Sequence, residues 1–269
     1  MDHGAGDPRA RTGRAVRLIR LVVSPLGLIV GLVVAWEGYV RLSGISPIIL
    51  PSPSRILTAL VDFREAAVAN TIPTLVETLV GFATSIVAAT LTAIAMDQLP
   101  SIRRALYPLL VASQTIPIVA IAPLLVIWFG FGLLPKVLVI VLVTFFPISV
   151  ALLDGFAGVE ADAVDLLRTM GATRGQVFRK LRWPAALPSY LTGLRIAVTY
   201  AVVAAIFGEY VGAYQGLGIW MQVSRNAFRA DLVFVAILIA AALSIGLFAL
   251  VAWLEHLLIP WYRASRQRQ

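Results

Sequence analysis

Between Asp231 and Glu255 the chain carries no charged side chain, and Ser244 is the one polar residue in the interval. A helix crossing the hydrocarbon core of a bilayer needs about 20 mostly apolar residues. In lipid the backbone must satisfy its own hydrogen bonds, which leaves helices and closed barrels as the spanning structures. Six stretches meet the helical requirement: 21–42, 74–96, 105–128, 133–153, 189–212 and 232–258. Composition agrees, since 59% of the 269 residues are hydrophobic and 13% charged, against about 45–50% and about 25% in soluble domains. A large soluble core would raise the first figure without halving the second. The expected fold class is therefore an all-α integral membrane protein with six transmembrane helices. The third and fourth spans are parted by FGFGLLPK (residues 129–136), where Gly130, Gly132 and Pro135 predict a tight turn. The first apolar stretch is longer than the roughly 7–15 residues of a cleavable leader, and no small-x-small cleavage site follows it, so it is expected to stay as an anchor.

Several chemistries are disfavoured at once. There is no cysteine, and the two histidines, His3 and His256, lie near opposite ends of the chain, so neither a thiolate nor a histidine metal centre is expected. The net charge of +8 suggests nucleic acid, but the basic residues flank apolar spans instead of forming one stripe. They read as membrane topology. Of the 22 Lys and Arg residues, 15 fall on one side: the N-terminal five from Arg9 to Arg20, Arg103, Arg104, the five from Arg168 to Arg182, and Arg263, Arg266 and Arg268. Six fall on the other: Arg41, Arg55, Arg64, Lys136, Arg225 and Arg229. Arg195, just inside the fifth span, is expected to snorkel to the richer side. The positive-inside rule then puts both termini in the cytoplasm. This gives a basic tail over 1–20, a transmembrane domain over 21–262 with a cytoplasmic segment at 154–188, and a short tail over 263–269. On the outer side Glu37 and Arg41 stand four apart and can pair. There LPSPS (residues 50–54) predicts a turn from which Ser54 caps a short helix through about Ala69.

The cytoplasmic segment contains DLLRTMGATRGQVFRKLRWPAALP (residues 165–188). Val164, Leu167 and Met170 recur at helical spacing over 160–170, and Gly171 can close that helix. Thr173 and Gln176 have the spacing of a capping box that opens a second helix through about Leu181. Pro184 is expected to end or kink it, and Pro188 to mark the return to the bilayer. The product is a helix–turn–helix elbow in water. Its pattern resembles the permease signature of ABC importers, Glu-Ala-Ala, three residues, Gly, nine residues, Ile, one residue, Leu-Pro, and departs from it with Asp for Glu, two leucines for alanines and Trp for Leu. Asp165, Leu166 and Leu167 take the Glu-Ala-Ala places, Gly171 the glycine, Leu181 the aliphatic position, and Trp183-Pro184 the Leu-Pro position. Glu160-Ala161 is out of register with Gly171. The resemblance extends over residues 30–260 to the nitrate/sulfonate/taurine-type permease family, through TrpGlu at 36–37, LPSPS, IAPLLVIWFGFG (121–132), FFPI (145–148), LPSYLTGLRIA (187–197) and FRADLVF (228–234). Within that family, residues 114–136 and GEYVGAYQGLG (208–218) look most like permeases for the thiamine pyrimidine (hydroxymethyl- or formylaminopyrimidine) or for riboflavin.

The resemblance implies a type I ABC importer permease fold and a multi-pass protein of the plasma or inner membrane. Its elbow would be a coupling helix that docks on a cytoplasmic ATPase subunit through Asp165, Leu166, Leu167, Arg168, Met170, Gly171, Ala172, Leu181 and Pro184. Two ATPase copies, an extracytoplasmic substrate-binding protein and a second copy of the permease are the implied partners, with ATP and Mg bound by the ATPase. Consistent with this, neither Lys136 nor Lys180 follows a glycine, so the phosphate-cradling Gly-Lys-Ser/Thr pattern is missing from this chain. The chain is thus expected to be a transport subunit, not an enzyme. Sulfonate, taurine or nitrate remain alternative cargoes. For the pathway, Glu209 and Tyr210 are candidates because an acid within a span is costly, though Glu209 can equally pair locally or reach interfacial water. Gln114, Pro117 and Pro123 either expose polar backbone to a cavity or kink a helix for packing. A secondary transporter would favour paired titratable groups near the midplane, and the intramembrane acids Glu37, Glu77, Glu209 and Glu255 read as lying near span ends. A membrane-embedded enzyme finds no clustered chemistry to use.

Overall fold

In a computed structural model the described residues run from Pro25 to Ile259, and every regular element among them is helical. The basic tails and the first four residues of the first predicted span lie outside them. The chain divides into two compact units, one made of the described residues up to Phe63 with Ser224–Val235, the other of Arg64–Val223 and the described residues from Ala236 on.

In the first unit, helix α1 (Pro25–Ser43) carries the expected Glu37–Arg41 pair at 2.7 Å. Glu37 also accepts from the Ser54 backbone N–H (2.9 Å) and hydroxyl (2.8 Å). That contact takes Ser54 away from capping. Ser52 caps α2 (Pro53–Asp62) instead, accepting from the Arg55 N–H, with Pro53 at the first helical position, where its missing donor costs nothing. Helix α2 stops at Asp62, seven residues short of the expected end, and α3 begins at Arg64. Asp231 is gripped by both arms of Arg229 (2.9 and 3.0 Å), with Arg55 at 3.7 Å.

The second unit holds α3 (Arg64–Gln98), α4 (Pro100–Ser113), α5 (Ile118–Phe129), α6 (Leu133–Ala157), α7 (Ala161–Thr169), α8 (Arg174–Val177) and α9 (Trp183–Gly212). Among the described residues, four helical stretches are long and apolar enough to span a membrane: α3, α6, Arg174–Gly212, and α11 (Ala230–Leu258). Helices α4 and α5 make a fifth only as a pair bent by 104°. Helix α1, 19 residues long, stands outside that count. The span expected over 105–128 is therefore not one continuous helix but a sharply bent pair. Proline alone does not explain the break, since Pro108 and Pro123 lie inside unbroken helices. What distinguishes Pro117 is the run Ser113-Gln114-Thr115 before it. The Ser113 hydroxyl bonds the Leu110 carbonyl (2.7 Å), and the Thr115 hydroxyl and N–H bond that of Ala112 (2.8 and 3.0 Å). These side chains satisfy carbonyls that a helix end would leave bare. The turn at 130–132 forms as expected, with Gly130 and Gly132 at φ of +74° and +145°.

Pro184 does not end its helix: Arg174 to Gly212 is one 39-residue run. A π-turn at Phe178–Arg182, in which the Trp183 N–H reaches the Phe178 carbonyl, absorbs the proline's missing donor.

Between helices, small residues set the distance. Gly81 on α3 faces the Ile140 side chain, and Gly193 on α9 faces Ala151 and the Pro147 carbonyl on α6. Gly155 on α6 lies against the Ala186 backbone, where an added Cβ would sit 2.9 Å from its Cα. Ala197, Ala201 and Ala205, four apart on α9, are fully buried, as are Ala89 and Ala93 on α3. In lipid, helices associate through such close contact, because burying more hydrocarbon gains little there. Threonines on α3 return their hydroxyls to carbonyls four residues back: Thr78 to Thr74 (2.7 Å), Thr84 to Val80 (2.8 Å) and Thr92 to Ala88 (2.8 Å). Replacing Gly193 or Gly155 with Leu is expected to destabilise the fold by about 1–3 kcal/mol or more. Gly246, which has no atom within 4 Å of an added Cβ, is expected to accept Ala with no change. Thermal unfolding of the detergent-purified chain checks both.

Candidate functional site

The elbow is built by local rules. Helix α7 ends at Met170 and Gly171, whose φ of +84° suits glycine, and the Gly171 and Ala172 N–H groups return to the carbonyls of Arg168 (2.9 Å) and Leu167 (3.0 Å). The capping box is complete: Thr173 accepts from the Gln176 N–H at 3.3 Å, and the Gln176 side chain accepts from the Thr173 N–H at 2.8 Å. Asp165 and Arg168 make a loose exposed pair at 3.7 Å. Leu166 and Met170 are 62% and 75% exposed, the greatest exposure of large apolar side chains on the elbow. Leu167 and Ala172 are half-buried. Leu181 and Pro184, also half-buried, belong to the long helix and not to the turn.

A rigid base supports the elbow. Arg182 bonds Asp97 at the end of α3 (2.8 Å) and lies 5.9 Å over the ring of Phe156 on α6. Phe156 meets Phe178 (5.6 Å), Phe178 meets Trp183 (6.1 Å), Trp183 meets Tyr190 (6.2 Å), and the Tyr190 hydroxyl bonds that of Thr90 on α3 (2.6 Å). A cleft of about 770 Å³ opens between this base and the elbow, lined among others by Asp97, Asp165, Arg168, Arg174 and Arg179. Sequence reasoning counted the four arginines and one lysine of this segment together as charges of the cytoplasmic side. Arg182 is instead an internal anchor, and Asp97 is the partner that would have revealed it.

The pathway candidates do not assemble. Gln114 and Pro117 are exposed at the α4–α5 bend. Glu209 is fully buried, accepts from the Thr74 hydroxyl (2.5 Å) and accepts from the Gly218 N–H (2.6 Å). Tyr210 beside it is half-buried. Among the described residues, no hydrogen bond or ion pair joins Gln114 or Pro117 to Glu209 or Tyr210. Two residues placed by sequence in ordinary positions take special ones. Lys136, read as a turn residue, is buried in the first turns of α6 and donates to Glu77 on α3. Arg195, read as snorkelling, pairs with Glu255 at 3.1 Å. The signal available for both was a charge inside an apolar span, which requires a partner. No group of three His, Cys, Asp or Glu residues with metal-site geometry occurs among the described residues.

Comparison with known proteins converges on this architecture. Residues 81–262 match the family model described as binding-protein-dependent transport system inner membrane component. The formylaminopyrimidine transport permease protein ThiX of Halalkalibacterium halodurans is 44% identical over 231 residues, covering 86% of this chain and 92% of that protein. The riboflavin transport system permease protein RibX of Chloroflexus aurantiacus is 34% identical, covering 94% and 97%. A chain of the crystal structure of an amino acid ABC transporter with histidines shares the fold, with a TM-score of 0.56 at 13% identity, over 74% of this chain and 95% of that one. The chain belongs to the binding-protein-dependent transport system inner membrane components, and is a multi-pass permease subunit of an ABC importer.

Proposed function

We propose that this permease imports a vitamin precursor, either the formylamino- or hydroxymethylpyrimidine of thiamine or riboflavin, delivered by an extracytoplasmic binding protein. The support is similarity to ThiX and RibX across nearly the whole chain. The chain works as half of a homodimer with six spans per copy and both termini in the cytoplasm. The excess of Lys and Arg on one side, the elbow's included, supports that orientation. Residues 1–20 and 263–269 are cytoplasmic tails, and the transmembrane domain fills the interval between them. ATP and Mg are held by two copies of a partner ATPase, and this chain performs no catalysis.

The observation that carries the coupling role is the exposed apolar pair Leu166 and Met170 on a short helix ended by Gly171. Neighbouring apolar side chains exposed one turn apart on a helix in water offer a surface that a partner can cover. Asp165, Arg168 and Arg174 can engage charges on the partner around that pair, while Leu167, Ala172, Leu181 and Pro184 hold the elbow's shape from beneath. When two ATPase subunits close on ATP, the elbows are drawn together and the long Arg174–Gly212 helix carries that motion into the membrane. Gln114 and Pro117, exposed at the break between α4 and α5, are kept as pathway residues.

Replacing Gly171 with Leu forces a side chain into a left-handed position. The variant is expected to accumulate in the membrane and to lose uptake and ATPase co-purification together. Normal uptake by it would count against docking at the elbow. For cargo, the chain reconstituted with its ATPase and binding protein is expected to take up radiolabelled formylaminopyrimidine or riboflavin in preference to taurine or nitrate. Reversed preference would move the assignment to the sulfonate branch. Single cysteines placed at residues 175 and 215 of this cysteine-free chain are expected to react with impermeant maleimide from the cytoplasmic and outer sides respectively.

A further inference from the structure

Three consecutive backbone N–H groups beyond the end of α9 are each held by a buried or half-buried side chain. Gly216 donates to Asn70 Oδ1 (3.1 Å), Leu217 to Thr74 Oγ1 (2.9 Å), and Gly218 to Glu209 Oε2 (2.6 Å). These are the opening residues of α10 (Leu217–Asn226) and its approach. Thr74 closes the circuit by donating its hydroxyl to Glu209 Oε1 (2.5 Å). Each group is used in the direction its chemistry allows: the threonine accepts from Leu217 and directs its one proton chiefly to Glu209, with the Asn70 carbonyl at 3.1 Å as a second acceptor, and both carboxylate oxygens accept. Thr74 and Glu209 are fully buried. The glycines follow from this geometry. Gly216 has a φ of +130°, and a Cβ on it would collide with the Glu209 carboxyl; a Cβ on Gly218 would collide with the Ile206 carbonyl and the Glu209 side chain.

A fully buried carboxylate is expensive unless donors surround it, and the start of a helix supplies such donors together with a favourable dipole. The carboxylate therefore needs the turn as much as the turn needs the carboxylate. We propose that Glu209, Thr74 and Asn70 form a clasp that locks the 213–218 turn to α3 and α9, which makes Glu209 a positioning residue for transport and not a lining residue of the pathway. The clasp sits at the end of the long Arg174–Gly212 helix opposite the elbow. Motion delivered at the elbow arrives at this turn, and the clasp makes the turn move with α3 and α9. This last step rests on the coupling role assigned to the elbow.

The test uses Gln215→Cys, an exposed position next to the clasp in a chain with no other cysteine, spin-labelled in liposomes with the ATPase and binding protein. In the parent the label is expected to be immobile. Glu209→Gln replaces one acceptor oxygen by a donor, and Thr74→Val removes the bridging hydroxyl. Each is expected to mobilise the label and to lower uptake about tenfold, the loss of one hydrogen bond to a charged group, while the ATPase still co-purifies. The double variant is expected to lose no more than the worse single one, because both break the same circuit. Thr74→Ser, which keeps the hydroxyl, is expected to keep the label immobile. Should Glu209→Gln fail to accumulate, Asn70→Ala at the half-buried edge gives the same reading through its bond to Gly216. A label that stays immobile in these variants, or losses that multiply in the double variant, overturns the clasp. Absence of uptake in the parent would tell against the cargo or coupling reading, and the label mobility would still decide the clasp.

Discussion

The fold of the larger unit depends on how closely α3, α6 and α9 approach one another. A lipid solvent gives packed helices little hydrophobic reward, so contact itself must hold them. Glycines 81, 155 and 193, with the alanine rows of α3 and α9, let backbone meet backbone. The close approach then does two further things. It brings Lys136 to Glu77 across two helices, a pair whose partners are 59 residues apart in sequence. It also places Gly208 so that its Cβ would stand 3.3 Å from the Lys136 Cα. The buried charges are tolerable because the helices are too near for either partner to be left alone.

On that frame the elbow and the clasp stand at opposite ends of a single long helix. The elbow is polar, exposed and made of short-range contacts. The clasp is buried and made of contacts between distant segments. The base of the elbow is stiffened by the Asp97–Arg182 bond and by the row of rings from Phe156 to Tyr190. Both ends of that helix are held by side-chain contacts, and the two sets differ in chemistry because one meets water and the other does not.

How much of this could be read from the chain alone follows the range of the interactions. The Gly171 turn, the Thr173/Gln176 box, the Glu37–Arg41 pair and the Gly130–Gly132 turn each depend on neighbours within four residues, and all formed as expected. The family also followed from the order of short motifs. What was misread involved choices among equals. Pro117 breaks its helix and Pro123 does not, because only the former follows side chains that satisfy the freed carbonyls. Ser52 and Ser54 both suit a cap, and a carboxylate from α1 decided between them. Lys136, Arg195 and Glu209 were seen as charges near span ends, but their partners lie 59, 60 and 135 residues away.

The π-turn at Phe178–Arg182 has a consequence for angle as well as for continuity. An α-helix advances about 100° around its axis per residue, and a π-turn accommodates one residue more than an α-turn. The azimuth of Val177, which is buried, and of the exposed arginines at 174 and 179 is thus set by that one extra residue. Deleting a single residue there would leave the rod's length almost unchanged and would swing the whole elbow by more than a quarter turn. The direction in which the elbow faces is recorded in the pitch of five residues.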